Sequence, residues 1–220
     1  MVKLIKKHKI VALALTFISI PILYYAIIIV NAYFETPRIV SEILVSDKMV
    51  LRLEDFPDDY LHILLTVEDP NFYSHNGVDL STPGAGITTI AQGIVKYHYF
   101  EHFKPGIAKL KQSLIALVLN SRVDKNTQLR IFINTIYMGT LNGQRIGGFN
   151  DAARVYYGKS FSELTGNEYL SLVAMIVAPD GFNVQKHPAE NAERVRRIKR
   201  LLGGECQPAG NSDVYYEACR

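Results

Sequence analysis

Residues 67–79 read Val-Glu-Asp-Pro-Asn-Phe-Tyr-Ser-His-Asn-Gly-Val-Asp, and the carboxylates near their start govern how the rest of the chain is read. Glu68 closes an apolar run of Tyr60, Leu61, Ile63, Leu64 and Val67, whose spacing predicts a helix capped by Asp58 or Asp59. Pro70 stops that helix, because it forces Asp69 out of the α region and removes a backbone donor. A carboxylate at the end of a buried helix has its proton affinity raised, which is how a general base is made. The plain structural alternative is an acidic helix end followed by a solvated loop carrying Phe72 and His75.

Downstream, the pattern is helical with short connections, and nothing suggests an extensive sheet. One helix is expected over Ile87–Tyr97, entered through Pro83-Gly84-Ala85-Gly86, with Thr88, Gln92 and Lys96 forming a polar stripe. Its N-terminus and the glycines beside it suit an anion. A second helix, Ile107–Arg122, is expected to bury Leu110, Leu114, Leu117 and Val118 and to present Lys109 and Gln112 near its start. A third, Thr127–Tyr137, has Leu129, Phe132, Ile133, Ile136 and Tyr137 on its inner face. Thr165 and Glu168 form a capping box, and Pro188 opens a last helix that ends at Gly203. His187 reads as a helix-start residue, and His98 and His102 receive no role.

The chain has 220 residues, 48% of them hydrophobic, enough for one domain plus an appendage. Ile10 to Val30 carries no charge and as a helix would cross about 30 Å of hydrocarbon. Pro21, Tyr24, Tyr25 and the large residues after them make a poor signal-peptidase site, so an anchor is expected. Lys3, Lys6, Lys7 and Lys9 precede the span and no lysine or arginine follows it until Arg38, which predicts a cytoplasmic N-terminus and an outward domain. Without those four lysines, twenty basic residues face 21 acidic ones, which argues against a nucleic-acid partner. The two cysteines, Cys206 and Cys219, lie in the C-terminal tail on the outward side, where a bridge is expected to stabilise a short loop by about 3 kcal/mol. The domain boundaries read as 1–9 basic segment, 10–30 transmembrane helix, 31–57 juxtamembrane arm, extended or hairpin-like from its β-branched runs over Ile39–Leu53, 58–202 main domain and 203–220 tail.

Glu68-Asp69, Phe72, His75 and Gly77 resemble the E-D-x-x-F-x-x-H-x-G signature of the peptidoglycan glycosyltransferases, glycosyltransferase family 51. The family's second motif, G-x-S-T-x-T-Q-Q followed by x-x-K, is similar to Gly86-Ile87-Thr88-Thr89-Ile90-Ala91-Gln92-Gly93 with Lys96. Its third, R-K-x-x-E, is similar to Ala108-Lys109-Leu110-Lys111-Gln112, and its fourth to Leu129, Phe132-Ile133-Asn134 and Tyr137-Met138-Gly139. Gly147-Gly148-Phe149, Ala152-Ala153, Tyr156-Tyr157-Gly158-Lys159, Leu164 and Glu168 continue the family's order.

The resemblance implies a lysozyme-like, mainly α domain behind an N-terminal transmembrane helix, in the bacterial inner membrane, that polymerises lipid II and releases undecaprenyl pyrophosphate. It implies Glu68 and Gln112 at the two catalytic positions, and Asp69, Phe72, His75, Thr88, Thr89, Gln92, Lys96, Lys109 and Asn134 as substrate-binding residues. A divalent metal, Mg or Mn, and other wall-synthesis proteins as partners are further implications. No transpeptidase-like stretch precedes Arg220, so a monofunctional enzyme is expected. The chain departs from the pattern in three places. Gln112 stands where the family has its second acidic residue, Ala108 replaces an arginine, and the segment from His75 to Gly86 is shorter. A lost charge-assisted partner is worth roughly 1.5–3 kcal/mol. The alternatives are a non-catalytic relative that binds lipid II or scaffolds wall synthesis, and, more distantly, a muramidase, which normally needs a second carboxylate or a substrate-assisted route.

Overall fold

The computed structural model describes residues 2–104 and 106–220, with side chains described for 17–57, 59–104 and 106–220. Its order is α1 (Val2–Leu44), α2 (Asp58–Glu68), α3 (Ile90–His98), α4 (Ile107–Arg122), α5 (Lys125–Thr135), β1 (Tyr137–Leu141), β2 (Gln144–Gly147), α6 (Gly148–Tyr157), α7 (Gly166–Met175) and α8 (Pro188–Leu202). The mainly α class is the one expected. The strands pair antiparallel as one hairpin, Thr140 facing Arg145 and Leu141 facing Gln144.

Helix α1 corrects the expected juxtamembrane arm. It runs unbroken to Leu44, taking in the first part of the stretch assigned to an extended or hairpin segment, while residues 45–52 remain non-helical. Ile28, Ala32, Thr36, Val40 and Ile43 recur at helical spacing and are buried, while Phe17, Ile20, Leu23, Ile27 and Phe34 stay exposed. The β-branched run is helical because its inner stripe packs on α4, and packing overrides local preference. The Arg122 guanidinium lies 4.3 Å from the Tyr33 ring centre, and the Tyr99 hydroxyl donates to Thr36 Oγ1 at 2.9 Å. Phe17–Leu44 is long and apolar enough to cross a membrane. The side chains of Lys3, Lys6, Lys7 and Lys9 lie outside the described residues.

After α1 the chain is tied down by Asn134, whose Oδ1 accepts from the Leu51 amide at 2.9 Å and whose Nδ2 donates to the Leu51 carbonyl at 2.8 Å. Helix α2 starts at Asp58 with Pro57 in the capping position, so Asp59 lies inside the helix and does not cap it; the side chain of Asp58, the other expected cap, lies outside the described residues. Its inner face, Tyr60, Leu64 and Val67, meets α7, where the Tyr60 and Tyr169 rings stack at 3.9 Å. Phe56, Phe149 and Phe161 complete this aromatic core. The capping box of Thr165 with Glu168 is formed, and α8 opens at Pro188 and stops at Gly203, all as read from the sequence.

Helix α4 has its expected ends and a different inner face. Gln112, Ile115, Ala116, Val118 and Leu119 are buried, whereas Leu110 and Leu117 are exposed. Helix α5 begins two residues earlier than expected, because Asp124 caps it by accepting from the Thr127 amide. The expected cysteine bridge is present, with Cα atoms of Cys206 and Cys219 5.4 Å apart.

Candidate active site

Helix α2 ends at Glu68 because Pro70 cannot continue it, and Asp69 takes the capping position with its amide on the Leu65 carbonyl. Glu68 lines a cavity of ≈ 480 Å³ whose other walls come from Gly84–Ile90, Lys96, Tyr97, Arg194 and the C-terminal tail. Among the described residues Glu68 has no hydrogen-bond or ion-pair partner and is the one carboxylate on this cavity. Burial pushes its carboxyl up to about 7, the Arg194 guanidinium opposes that rise, and neighbouring Asp69 adds to it. A larger cavity of ≈ 620 Å³ lies between α1 and α4, but its Glu35 and Glu42 are exposed and paired to Arg38, and Glu68 is absent from it.

Cationic groups stand on the same side. Lys96 projects from α3 into the cavity, its Nζ 5.3 Å from the Tyr97 ring centre and 5.7 Å from that of Phe103. Burial first, then Arg145, lowers its proton affinity. Lys109, on the first turn of α4, donates to Thr88 Oγ1 at 2.9 Å. Burial and the nearby Lys96 charge bring Lys109 down to about 8. Two partly desolvated ammonium groups that repel one another are relieved by a polyanion, so this face suits a pyrophosphate.

The remaining expected site residues separate into those on the cavity and those that hold its shape. Thr88 is exposed at the rim. Thr89 is the N-cap of α3, in a capping box with Gln92. Gln92 is fully buried, its Oε1 accepting from the Thr89 amide and its Nε2 donating to Ser113 at 2.8 Å. This corrects the expected Thr88–Gln92–Lys96 stripe: Thr88 precedes the helix and Gln92 faces inward. Asp69 is buried, with Oδ2 accepting from the Ile90 amide at 2.9 Å and Oδ1 accepting from His75 Nε2 at 2.8 Å. His75 Nδ1 accepts from the Gly77 amide, which leaves the ring proton on Nε2. The anion expected at the start of α3 is thus the protein's own Asp69, and the Ile90 amide is not free for a ligand.

Phe72 is 1% exposed and anchors the loop in the core, with Lys125 Nζ 4.5 Å from its ring centre. Gly77 takes φ +98° where a Cβ would lie 2.5 Å from the Ala116 carbonyl oxygen, so the loop presses directly on α4. Gln112 is 1% exposed, its Nε2 donating to the Gln92 carbonyl at 2.6 Å while its Oε1 has no partner. Gln112 therefore lies in the α3–α4 seam and not on the cavity lining. Asn134 is likewise a tether of the Leu51 segment. Among the described residues no group of three or more His, Cys, Asp or Glu is placed to hold a metal ion by protein ligands alone.

Sequence reasoning missed Arg194 and the tail. Arg194 is 2% exposed, donates from Nε to the Ala174 carbonyl and from Nη1 to the Val214 carbonyl, and lies among Phe182, Tyr215 and Tyr216. Its signal was available: Asn191, Arg194, Val195 and Ile198 recur at the spacing of a buried helical face. Arg145, from β2, stands over the Tyr97 and Tyr137 rings and adds positive field beside Lys96. Nothing local in sequence marks it.

The transglycosylase family model matches residues 37–202. The chain is similar to penicillin-binding protein 1B of Haemophilus influenzae, 30% identical over 169 residues, 71% of this chain and 22% of that protein. It is similar to penicillin-binding protein 1A of Pseudomonas aeruginosa, 28% identical over 186 residues, 78% of this chain and 22% of that protein. Penicillin-binding protein 1B of Escherichia coli is 28% identical over 160 residues, 67% of this chain and 19% of that protein. The chain spans about a fifth of the length of these curated relatives.

Proposed function

The chain belongs to the transglycosylase family, and on that premise we propose that it is a peptidoglycan glycosyltransferase that polymerises lipid II into glycan strands. The observation that carries this is Glu68: an unpaired carboxylate of raised proton affinity that shares one cavity with Lys96. Glu68 takes the proton from the acceptor sugar's 4-hydroxyl as that oxygen attacks the anomeric carbon of the donor. The bond from that carbon to the pyrophosphate oxygen breaks, and its electron pair leaves with the lipid diphosphate. Lys96 and Lys109 receive the charge that develops there. Attack from the side opposite the leaving group inverts the anomeric centre.

Asp69, His75 and the capping box of α3 act one step back, by fixing where Glu68 and Lys96 stand. Helix α1 tethers the domain to the bilayer in which both lipid-linked substrates reside, which confines their search to that surface. In this reading the N-terminus is cytoplasmic, the domain faces outward from the inner membrane, and other wall-synthesis proteins are its neighbours. The test is incubation of the detergent-solubilised chain with labelled lipid II. Glycan strands are expected, and Glu68→Gln should remove them while leaving lipid II binding within about twofold. Strand synthesis that persists in Glu68→Gln would overturn the assignment of the base.

A further inference from the structure

The end of the chain folds back against the stretch between His75 and Gly86. The Gly84 amide donates to the Gly210 carbonyl at 2.9 Å, the Gly86 amide to the Asn211 carbonyl at 3.0 Å, and Asn211 Nδ2 to the Thr82 carbonyl at 3.4 Å. Both glycines have positive φ, and neither has room for a side chain. A Cβ on Gly84 would lie 2.6 Å from Pro208 and 2.7 Å from Tyr216, and one on Gly86 would lie 2.7 Å from Val214. The loop is therefore shaped to receive the tail.

The tail is also built as a unit. The Cys206–Cys219 bridge closes it, and the Asp213 carboxylate accepts from the amides of Ala209, Glu217 and Ala218. Helix α8 holds it from beneath through Arg194 on the Val214 carbonyl, Arg197 on the Tyr215 carbonyl and Arg200 on the Cys219 carbonyl. Tyr216, 1% exposed, donates its hydroxyl to the Val67 carbonyl at 2.7 Å, one residue before Glu68. Asn211, Ser212, Val214 and Tyr215 then line the Glu68 cavity.

We propose that the disulfide-closed tail, 203–220, is a wall of the active site: it closes the cavity beside the 75–86 segment, keeps water off Glu68, and sets Asn211 and Ser212 against the bound lipid pyrophosphate. The ligand's identity rests on the proposed function; the wall itself does not. A tail that merely decorated the surface would not bury Tyr216 and Cys219 or reach the backbone beside the base.

The test uses the full chain in detergent and two lesions at opposite ends of the contact. Cys206→Ser with Cys219→Ser opens the staple, and Gly84→Ala lifts the loop-side contact with the bridge intact. In both, the amides of residues 84 and 86 should exchange at least about tenfold faster. The Glu68 titration, followed by carbon-13 NMR, should fall from about 7 towards about 4.3 as water enters. Binding of a polyprenyl pyrophosphate should weaken at least about threefold, and Ser212→Asp, at an exposed position with the tail still docked, should do the same by repulsion. Should neither lesion fold, the native chain treated with dithiothreitol is read by the same exchange and titration measurements. A Glu68 midpoint that stays near 7 when the tail is released, or lies near 4.3 in the native chain, overturns the proposal. Absence of glycan synthesis in the native chain would instead overturn the function, and the titration would still decide the wall.

Discussion

The proton inventory of the cavity predicts a narrow pH optimum. In the proposed mechanism catalysis needs Glu68 ionised and Lys109 protonated, and their surroundings bring the two to about 7 and about 8. At pH 7.5 about three-quarters of each group is in its active form, so a little over half of the molecules have both; at pH 6 or pH 9 about one-tenth do. The value of kcat/KM for lipid II should therefore fall about sixfold from its maximum at each of those pH values, with limbs that report the free enzyme. The kcat profile should keep the acid limb less faithfully and move the alkaline limb upward, because a bound pyrophosphate restores the proton affinity of Lys109. The assay is glycan formation from labelled lipid II in detergent across pH 5.5–9.5 at constant ionic strength, about 0.15 M to fix screening. Lys109→Arg makes the prediction specific: arginine keeps its charge, so the alkaline limb should disappear from this range while the acid limb stays. A profile flat from pH 6 to 9, or an acid limb near pH 4.5, would show that Glu68 is not held in the desolvated state the structure gives it.

Folding stability should carry the opposite mark of the same group. The folded chain binds the Glu68 proton more tightly than the unfolded chain, so its contribution is full below about pH 4.5 and declines by up to about 3 kcal/mol as pH rises through 7; Glu68→Gln should flatten that slope in urea titrations. Gln112→Glu should leave synthesis no faster and cost about 3 kcal/mol in the same measurement, since a carboxylate would face the Gln92 carbonyl in a buried seam. Asp69→Asn should cost about 2 kcal/mol and lower activity through misplacement of α3, because its carboxylate holds both the Ile90 amide and His75. Chelation with EDTA should leave polyprenyl pyrophosphate binding within about threefold if Lys96 on the cavity and Lys109 beside Thr88 supply the anion site, as proposed.

The errors of the sequence reading are instructive where they fall. Capping residues and proline stops marked Thr165, Pro188 and the end of α2 well, since each acts through backbone groups within four residues of itself. The polar residues of α3 and α4 were read as facing solvent or ligand, and Gln92, Gln112 and Asp69 proved instead to satisfy buried backbone amides and carbonyls. A polar side chain looks the same in sequence whether it meets a substrate or an orphaned N–H, and only the neighbouring segment tells the two apart. The buried stripe of α1 was legible at 28, 32, 36, 40 and 43, but its β-branched content masked it.

The order of residues alone determined the family, the helical class, an N-terminal helix apolar enough to cross a membrane and the candidate base, because motif spacing, periodicity and chain-breaking residues act locally. Tertiary structure alone decided which polar groups reach the cavity, that Arg194 and Arg145 belong to its field, and that Asn211, Ser212, Val214 and Tyr215 of the tail line it. Those outcomes depend on desolvation and on contacts between segments more than a hundred residues apart, such as Tyr216 on Val67, and neither is written in any local stretch of chain.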